Sequence, residues 1–437
     1  MAKKIKDITA YDCLAFDNDL ATADVLHSFM KSQSNNVFRF SDNYHSDDES
    51  KLAEYNYREN NWRAGRFVGE AIFNHNKTDY KITIKPRFGE KLLFRMLEEI
   101  FNIRFTHSAS QNSKSNDFQH YIKRIIAFIW VQKLANANIH GVPKTQVKRE
   151  FQGQVIRGRL DVRRSIIPLH RSGEVVSTYR EKEIDKHIAQ LIFQAYQILK
   201  TDFEIGNNIP DSAREAINQI YSAGQKQIHI SESDYKNIKY KDIYLSWKPL
   251  VDFSWDIIKR KQLSLKQDQA QNGFGFFIDM AEVWEQYLRS ILKKNLLPLG
   301  WRYVNEKQIA YKDYFFRREL IPDLVFQKDN EVAVWDAKYK SMKGLKDDVD
   351  RSDFFQIHTY IQYQLNHKTV KTGGLLYPIS KTPKNFLEYQ SPYLIQENGV
   401  KMKFIIDGVE LEEMNEQTNP VIQEQRFIDR ILSHIKD

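Results

Sequence analysis

The sequence predicts a multidomain protein of mixed α+β and α/β class. It divides into a β-rich N-terminal region (1–180), a helical middle domain or linker (181–270) and a C-terminal α/β domain (271–437). Three observations lead there. Short alternating segments punctuated by Pro and Gly mark the first part. An apolar i, i+3/i+4 pattern takes over from Glu181, and helix and strand patterns alternate from about Gly273 onward. At about 100–200 residues per domain, 437 residues suit two or three domains.

Composition narrows the class. Apolar residues make up 41% and charged residues 28%, which excludes a mostly disordered chain, a collagen-like repeat and a disulfide scaffold. The single cysteine, Cys13, rules out an intramolecular disulfide and a Cys-rich zinc site, and fits a reducing compartment. A net charge of +8 permits contact with a polyanion without demanding it. The start has no signal-peptide apolar core. The strongest apolar run, Ile125 to Val131, is far below the roughly 20 residues of a membrane span. The chain therefore reads as soluble and cytoplasmic, with no membrane partner.

In chain order, Phe67-Val-Gly and Tyr80 to Lys85 have period-2 character, with Pro86 and Gly89 closing the second. Leu92 to Ile103 reads as a helix, Thr106 to Asp117 as a polar loop and Tyr121 to Ala137 as a buried helix. Gly141 to Ile166 reads as strands turning at Gly153 and Gly158. Its basic residues Lys144, Lys148, Arg149, Arg157, Arg159, Arg163 and Arg164 would track DNA phosphates, contact an acidic surface or form a solvated strand face. Ile184, Ile188, Leu191, Ile192, Ala195 and Leu199 make one helix face. Asp211 to Tyr221 and Ile243 to Lys261 read as further helices, the latter interrupted at Pro249. The polar stretch Leu263 to Asn272 is the best boundary. Beyond it, Asp279 to Lys294 and Asp353 to Asn366 read as helices. Leu320 to Gln327, Glu331 to Lys340 and Gly373 to Ile379 read as strands.

The chemistry concentrates on two of these strands. Asp323 shares a face with Ile321 and Val325; Asp336 and Lys338 share one with Val332 and Val334. Charged groups on otherwise apolar strands are costly unless paired. The turn residues Asp329-Asn330 predict a hairpin that brings Asp323 beside Asp336 and Lys338. Two carboxylates with the Ala337 backbone carbonyl suit a hard divalent cation, Mg²⁺ or Mn²⁺. Lys338 would then orient or activate the attacking water, or stabilise developing phosphate charge. A structural Asp–Lys salt bridge is the plain alternative. Glu285 lies on the apolar stripe of its helix, facing the sheet or packing at the stripe's edge. Gln356 and Tyr360, at i and i+4, share a helix face from which an amide reaches a phosphate or a metal-bound water, or simply meets solvent. His358 reads as a surface histidine.

Pro322-Asp323 and Asp336-Ala337-Lys338 resemble the motif of the PD-(D/E)XK nuclease superfamily. Trp284-Glu285, Asp336-Ala-Lys-Tyr-Lys340, the Gln356 helix and Gly374-Leu-Leu-Tyr-Pro378 follow the order of the McrC family, the nuclease subunits of McrBC-type restriction systems. Upstream, Lys81 to Pro86, Gly141 to Asp161 and Tyr179 to Asp185 resemble the same family more loosely, and the first 60 residues match nothing recognisable. Trp284 stands where the family favours Phe.

The resemblance implies a C-terminal restriction-endonuclease-like core of order α-β-β-β-α-β. It implies Asp323, Asp336 and Glu285 as metal ligands, Lys338 at the attacking water and Gln356 as auxiliary. It also implies an Mg²⁺-dependent endonuclease acting on double-stranded DNA, partnered by a McrB-like hexameric AAA+ GTPase whose hydrolysis the N-terminal part stimulates from within the ring's pore; Thr106 to Asp117 is one candidate for the inserted segment. No Gly-x-x-x-x-Gly-Lys-[Ser/Thr] occurs, so no nucleotide is expected on this chain itself. Two other readings stay open: a non-catalytic activator of an AAA+ motor, and a stand-alone PD-(D/E)XK repair nuclease.

Overall fold

The computed structural model describes residues 6–17, 20–32, 37–38, 51–101, 117–202, 209–224, 230–266, 275–304, 308–310, 318–340, 342, 349–379, 387–395, 399, 401–411 and 419–436. The Thr106–Asp117 loop lies outside the described residues, save Asp117. Two compact units form: Met1–Lys114 together with Gln271–Asp437, and Ser115–Ala270. The units are drawn differently from the expected sequential division: residues 115–180 fall with 181–270, and 271–437 joins the N-terminal segment in one unit. The cause is strand pairing between segments far apart in sequence. Gly275–Asp279 adds antiparallel to Phe67–His75 and so enters a five-stranded sheet otherwise built from the first 114 residues.

That sheet runs in the order Lys6–Tyr11, Thr78–Lys85, Phe67–His75, Gly275–Asp279, Val37–Phe38. Ile8, Ala10, Phe67, Ala71, Ile82, Ile84 and Phe277 bury one contiguous core against Val25, Leu26 and Phe29 of the helix Leu20–Ser32. Gly275–Asp279 leads directly into the helix Met280–Leu296. Asp279 caps that helix by accepting from Ala281 N–H at 2.9 Å, and Arg66 pairs with Asp279 at 3.0 Å.

A six-stranded mixed sheet forms the other half of this unit. Its order is Arg302–Tyr303, Leu324–Lys328, Glu331–Ala337, Thr369–Ile379, Lys401–Glu410, Leu387–Ile395. Leu324–Lys328 and Glu331–Ala337 form the expected hairpin, with Leu324 opposite Trp335 and Asp329 taking the left-handed turn conformation (φ 50°). The upstream limit differs from the expectation. Arg318–Leu320 is a separate strand paired with Gln308–Ala310, and Ile321-Pro322-Asp323 is irregular, so Asp323 stands just before its strand. Glu331–Ala337 pairs parallel with Thr369–Ile379, and the helix Arg351–Leu365 makes the crossover that parallel strands require. Ile357, Tyr360, Ile361 and Leu365 of that helix pack on Val325, Val332, Val334 and Leu375.

The Gly374 and Gly408 positions hold the Thr369–Ile379 and Lys401–Glu410 strands at unusually close approach. A Cβ on Gly374 would lie 1.8 Å from Ile405 O, and one on Gly408 would lie 1.6 Å from Tyr377 O. The helix Pro420–Lys436 is tied to this sheet by Arg430 and Asp407 (2.9 Å). It meets the helix Glu90–Phe101 through Arg95 and Glu424 (2.7 Å).

The Ser115–Ala270 unit packs the helices Asp117–Ala137, Lys186–Asp202, Asp211–Gly224 and Lys248–Lys266 around Trp130, Leu191, Ile192, Ile220, Leu250 and Val251. Trp130 Nε1 donates to Ser254 Oγ at 2.7 Å, which satisfies the one polar atom of that buried ring. Three local expectations change. Glu181 to Ile184 is not helical, because Val175–Ile184 pairs along its whole length with Lys144–Gly153; the helix begins at Lys186, where Asp185 accepts from His187 and Ile188 N–H. Val162 to Ile166 belongs to a helix, Val162–Ser172, capped by Asp161 and ended by Gly173 in the left-handed conformation. Pro249 interrupts nothing, since it lies in the first turn of Lys248–Lys266, where a missing N–H costs no helix bond. Among the described residues no helix is long and apolar enough to cross a membrane.

Candidate active site

The hairpin register places Asp323 and Asp336 side by side. Leu324 faces Trp335, so the preceding and following residues continue the pairing direction, and Ala337 N–H donates to Asp323 Oδ2 at 2.9 Å. Asp336 is fully enclosed. Its Oδ2 has Lys338 Nζ at 2.7 Å yet accepts no hydrogen bond of good geometry. Lys338, whose backbone N–H is anchored on Leu376 O at 2.9 Å, donates from Nζ to Gln356 Oε1 at 2.9 Å. Gln356 Nε2 in turn donates to Tyr360 OH at 2.9 Å. The expected i, i+4 pair is thus a hydrogen-bonded chain that ends on the lysine.

Glu285 stands on the helix Met280–Leu296 and is ion-paired with Arg289 one turn on. Arg289 Nη2 also reaches Asp323 O at 3.4 Å, and Tyr303 OH donates to that same carbonyl at 3.3 Å. Glu285 is therefore coupled to the Asp323–Asp336 pair by its field and through Arg289. Among the described residues no group of three or more His, Cys, Asp or Glu side chains is arranged to hold a metal ion.

Electrostatics mark the pair as poised for a cation. Burial, then the charges of Asp336 and Glu285, push the Asp323 carboxyl well above the usual range; Lys338 and the Ala337 N–H pull the other way. Burial also raises Asp336, against Lys338 and a hydrogen bond with Asp323. Burial likewise raises Glu285, opposed by Arg289. Burial disfavours the Lys338 ammonium, but Asp336, Asp323 and Asp353 outweigh it and hold the lysine above its ordinary value. Two carboxyls crowded in this way are stabilised as carboxylates by positive charge beside them, which Lys338 already supplies in part. An all-oxygen set of two carboxylates and the Ala337 carbonyl, with a buried carboxylate oxygen that the Lys338 ammonium meets without a well-aligned hydrogen bond, fits Mg²⁺ or Mn²⁺.

Three participants escaped the sequence reading. Asp353 is buried between two lysines, 3.7 Å from Lys338 and 2.7 Å from Lys340. It sits three residues before Gln356, a helix spacing that was there to be read. Arg289 is likewise i+4 from Glu285. Tyr303 carried no local signal. His358 turns back on its own helix, with Nδ1 2.8 Å from Phe354 O and its ring against Phe354 and Phe404.

The strand end carrying Lys338 is also clamped from the five-stranded sheet. The Arg87 guanidinium lies 4.7 and 4.8 Å from the ring centroids of Tyr339 and Phe88, which themselves meet edge to face. Arg87 N–H donates to Asp12 Oδ1 at 2.5 Å, and its Nε lies 3.9 Å from Asp12 Oδ2. Asp12 and Arg87 are both enclosed, at 0% and 2% exposure.

Comparison with known proteins agrees in direction. A family model described as "McrBC 5-methylcytosine restriction system component" matches residues 63–378. No curated protein matches the chain. Among solved structures, the fold is similar to a refined half-complex from a tetradecameric assembly of Thermococcus gammatolerans McrB AAA+ hexamers with bound McrC. The identity is 17% and the TM-score 0.50, covering 98% of this chain and 100% of that one. The cryo-EM structure of the Thermococcus gammatolerans McrBC complex is more distant. Its identity is 15% and its TM-score 0.35, covering 67% of this chain and 88% of that one.

Proposed function

The chain belongs to the McrBC 5-methylcytosine restriction system component family, and on that premise we propose that it is the DNA-cutting subunit, a Mg²⁺-dependent endonuclease with a PD-(D/E)XK core. The single observation that carries the reading is the meeting of Asp323, Asp336 and Lys338 at one hairpin end, joined to Gln356. The sheet supports it: with the separate pair Gln308–Ala310 and Arg318–Leu320 set aside, helix, three strands, helix and strand come in the chain order Met280–Leu296, Arg302–Tyr303, Leu324–Lys328, Glu331–Ala337, Arg351–Leu365 and Thr369–Ile379.

Asp323, Asp336 and the Ala337 carbonyl would hold the metal, and Glu285, held by Arg289, would add its charge from the helix without joining them as a third ligand. A bound Mg²⁺ supplies Lewis-acid stabilisation of phosphoryl oxygens and lowers the pKa of a coordinated water. Lys338 stays an ammonium beside the carboxylates. Its place beside the carboxylates suits it to orient or activate the attacking water and to offset phosphate charge. Gln356 fixes the lysine's direction, and Tyr360 fixes Gln356.

The proposed partner is a McrB-like hexameric AAA+ GTPase. The surface that suits it lies on the Ser115–Ala270 unit, where Val155, Ile156, Val162, Ile166, Ile167 and Leu169 are all more than half exposed. Apolar side chains exposed on the segment between Lys144–Gly153 and Arg159–Leu160 and on the helix Val162–Ser172 suit a protein interface. The adjacent basic stretch suits DNA less well, because Arg149 pairs with Glu183, Arg164 pairs with Glu150 and Arg157 stacks on Phe151.

The test is duplex-DNA cleavage by the chain assembled with its ring partner, with the GTPase rate recorded in the same reaction. Cutting should require both Mg²⁺ and GTP. GTPase stimulation with no cutting would make the chain a motor activator, and cutting by the chain alone without nucleotide would make it a stand-alone nuclease.

A further inference from the structure

Two cations share one aromatic ring beside the candidate active site. Lys293 Nζ lies 4.1 Å from the Tyr303 ring centroid, and the Arg289 guanidinium carbon lies 5.3 Å from it. Both residues are on the helix Met280–Leu296, at i and i+4, and so project from one face. Arg289 Nη2 and Tyr303 OH converge on the backbone carbonyl of Asp323, so the group touches the backbone that carries a proposed metal ligand.

Charge here is incompletely matched. Arg289 has Glu285, but among the described residues Lys293 has no carboxylate partner. Arg289 Nε is buried and has no acceptor. Burial and the neighbouring guanidinium both disfavour the Lys293 ammonium and push its pKa down. A shared ring relieves this repulsion only modestly, since cation–π contacts near the surface are weak. An anion that bridged both side chains would offset it, reaching Lys293 Nζ and Arg289 Nη1, which holds only a 3.3 Å bond to Gln286 Oε1 that a phosphate oxygen can displace.

We infer that Arg289, Lys293 and Tyr303 form a phosphate-binding subsite that takes a backbone phosphodiester of the DNA strand next to the one being cut. The inference rests on the nuclease reading, since that reading is what places a DNA backbone here. Arg289 supplies directional N–H donors, Lys293 a point charge, and Tyr303 the surface that holds both cations apart from solvent. Lys293 is thus a substrate-binding residue outside the acid-acid-lysine set.

The experiment measures binding of a short fluorescein-labelled duplex DNA to the full chain by anisotropy, with Ca²⁺ in place of Mg²⁺, across a salt series. Lys293→Met keeps the aliphatic stem against Tyr303 and removes only the charge. It should bind roughly five- to tenfold more weakly, and its log–log salt slope should be shallower by about 0.9, the loss of one phosphate contact. Lys293→Arg should retain both affinity and slope. Equal thermal unfolding of the variants excludes a folding artefact. Wild-type affinity and slope in Lys293→Met, or no DNA binding by the wild-type chain, overturns the subsite. The two readings fail separately: normal cutting by an Asp336→Ala complex would refute the nuclease assignment and leave the Lys293 binding result as it stands.

Discussion

Asp323→Asn should abolish DNA cleavage by the assembled complex, by roughly a thousandfold or more, while the partner's GTPase stimulation persists. The size follows if Asp323 is the proposed charged oxygen ligand, whose removal would forfeit several kcal/mol of transition-state stabilisation at about 1.4 kcal/mol per factor of ten. The amide oxygen still accepts from Ala337 N–H, so the hairpin end keeps its geometry. Stability should move the opposite way from activity. Burial, Asp336 and Glu285 hold the Asp323 carboxyl above its ordinary value, so folding favours its neutral form. Without metal, that contribution is fully present below the unfolded carboxylate pKa and is lost as pH rises toward the folded value. A permanently neutral Asn avoids the loss. Metal-free Asp323→Asn should therefore melt at or above the wild-type temperature at neutral pH. Differential scanning calorimetry alongside a plasmid-cutting assay checks both halves. A variant that loses activity and melts lower would be a folding mutant and would say nothing about chemistry.

Arg87→Ala should destabilise the Met1–Lys114/Gln271–Asp437 unit by about 3–5 kcal/mol, the usual cost of stripping one partner from a buried ion pair. Asp12 would be left enclosed and uncompensated, and burial already pushes its carboxyl up despite Arg87. Arg87→Lys should not rescue it, because an ammonium lacks the planar guanidinium that packs against both Phe88 and Tyr339. Hydrogen exchange at the Lys338 and Tyr339 amides reports the effect locally. Faster exchange there than in the Ser115–Ala270 unit is the expected pattern. The double variant Arg87→Ala, Asp12→Ala should be less destabilised than the sum of the singles, since neither charge is then stranded.

Much of the site was legible because its information is local. Alternating apolar residues and the Asp329-Asn330 turn specify the hairpin, and a hairpin's pairing rule then sets Asp323 against Asp336. Helical spacing likewise predicts that Gln356 meets Tyr360. What escaped depends on partners distant in sequence. Nothing near Gly275–Asp279 says that it pairs with Phe67–His75, and nothing near Arg87 says that Tyr339 will cover it. The exposed β-branched residues of Val162–Ser172 imitate a strand, although Asp161 and Gly173 are good cap residues and could have revealed the helix. Ile184 fits the apolar period of the helix that follows it and so hid the end of a long strand. Gly374, quoted as part of a motif, has a plain physical reason only once the strand beyond it is seen, with Ile405 O standing where a side chain would begin.

The account stands on one claim, that Asp323 and Asp336 together bind a divalent cation. Mn²⁺ titration of the full chain with duplex DNA, followed by the electron paramagnetic resonance of free Mn²⁺, measures it directly. The wild-type chain should sequester Mn²⁺ that the Asp323→Asn, Asp336→Asn double variant leaves free. Equal sequestration by both proteins, or none by either, would contradict the account.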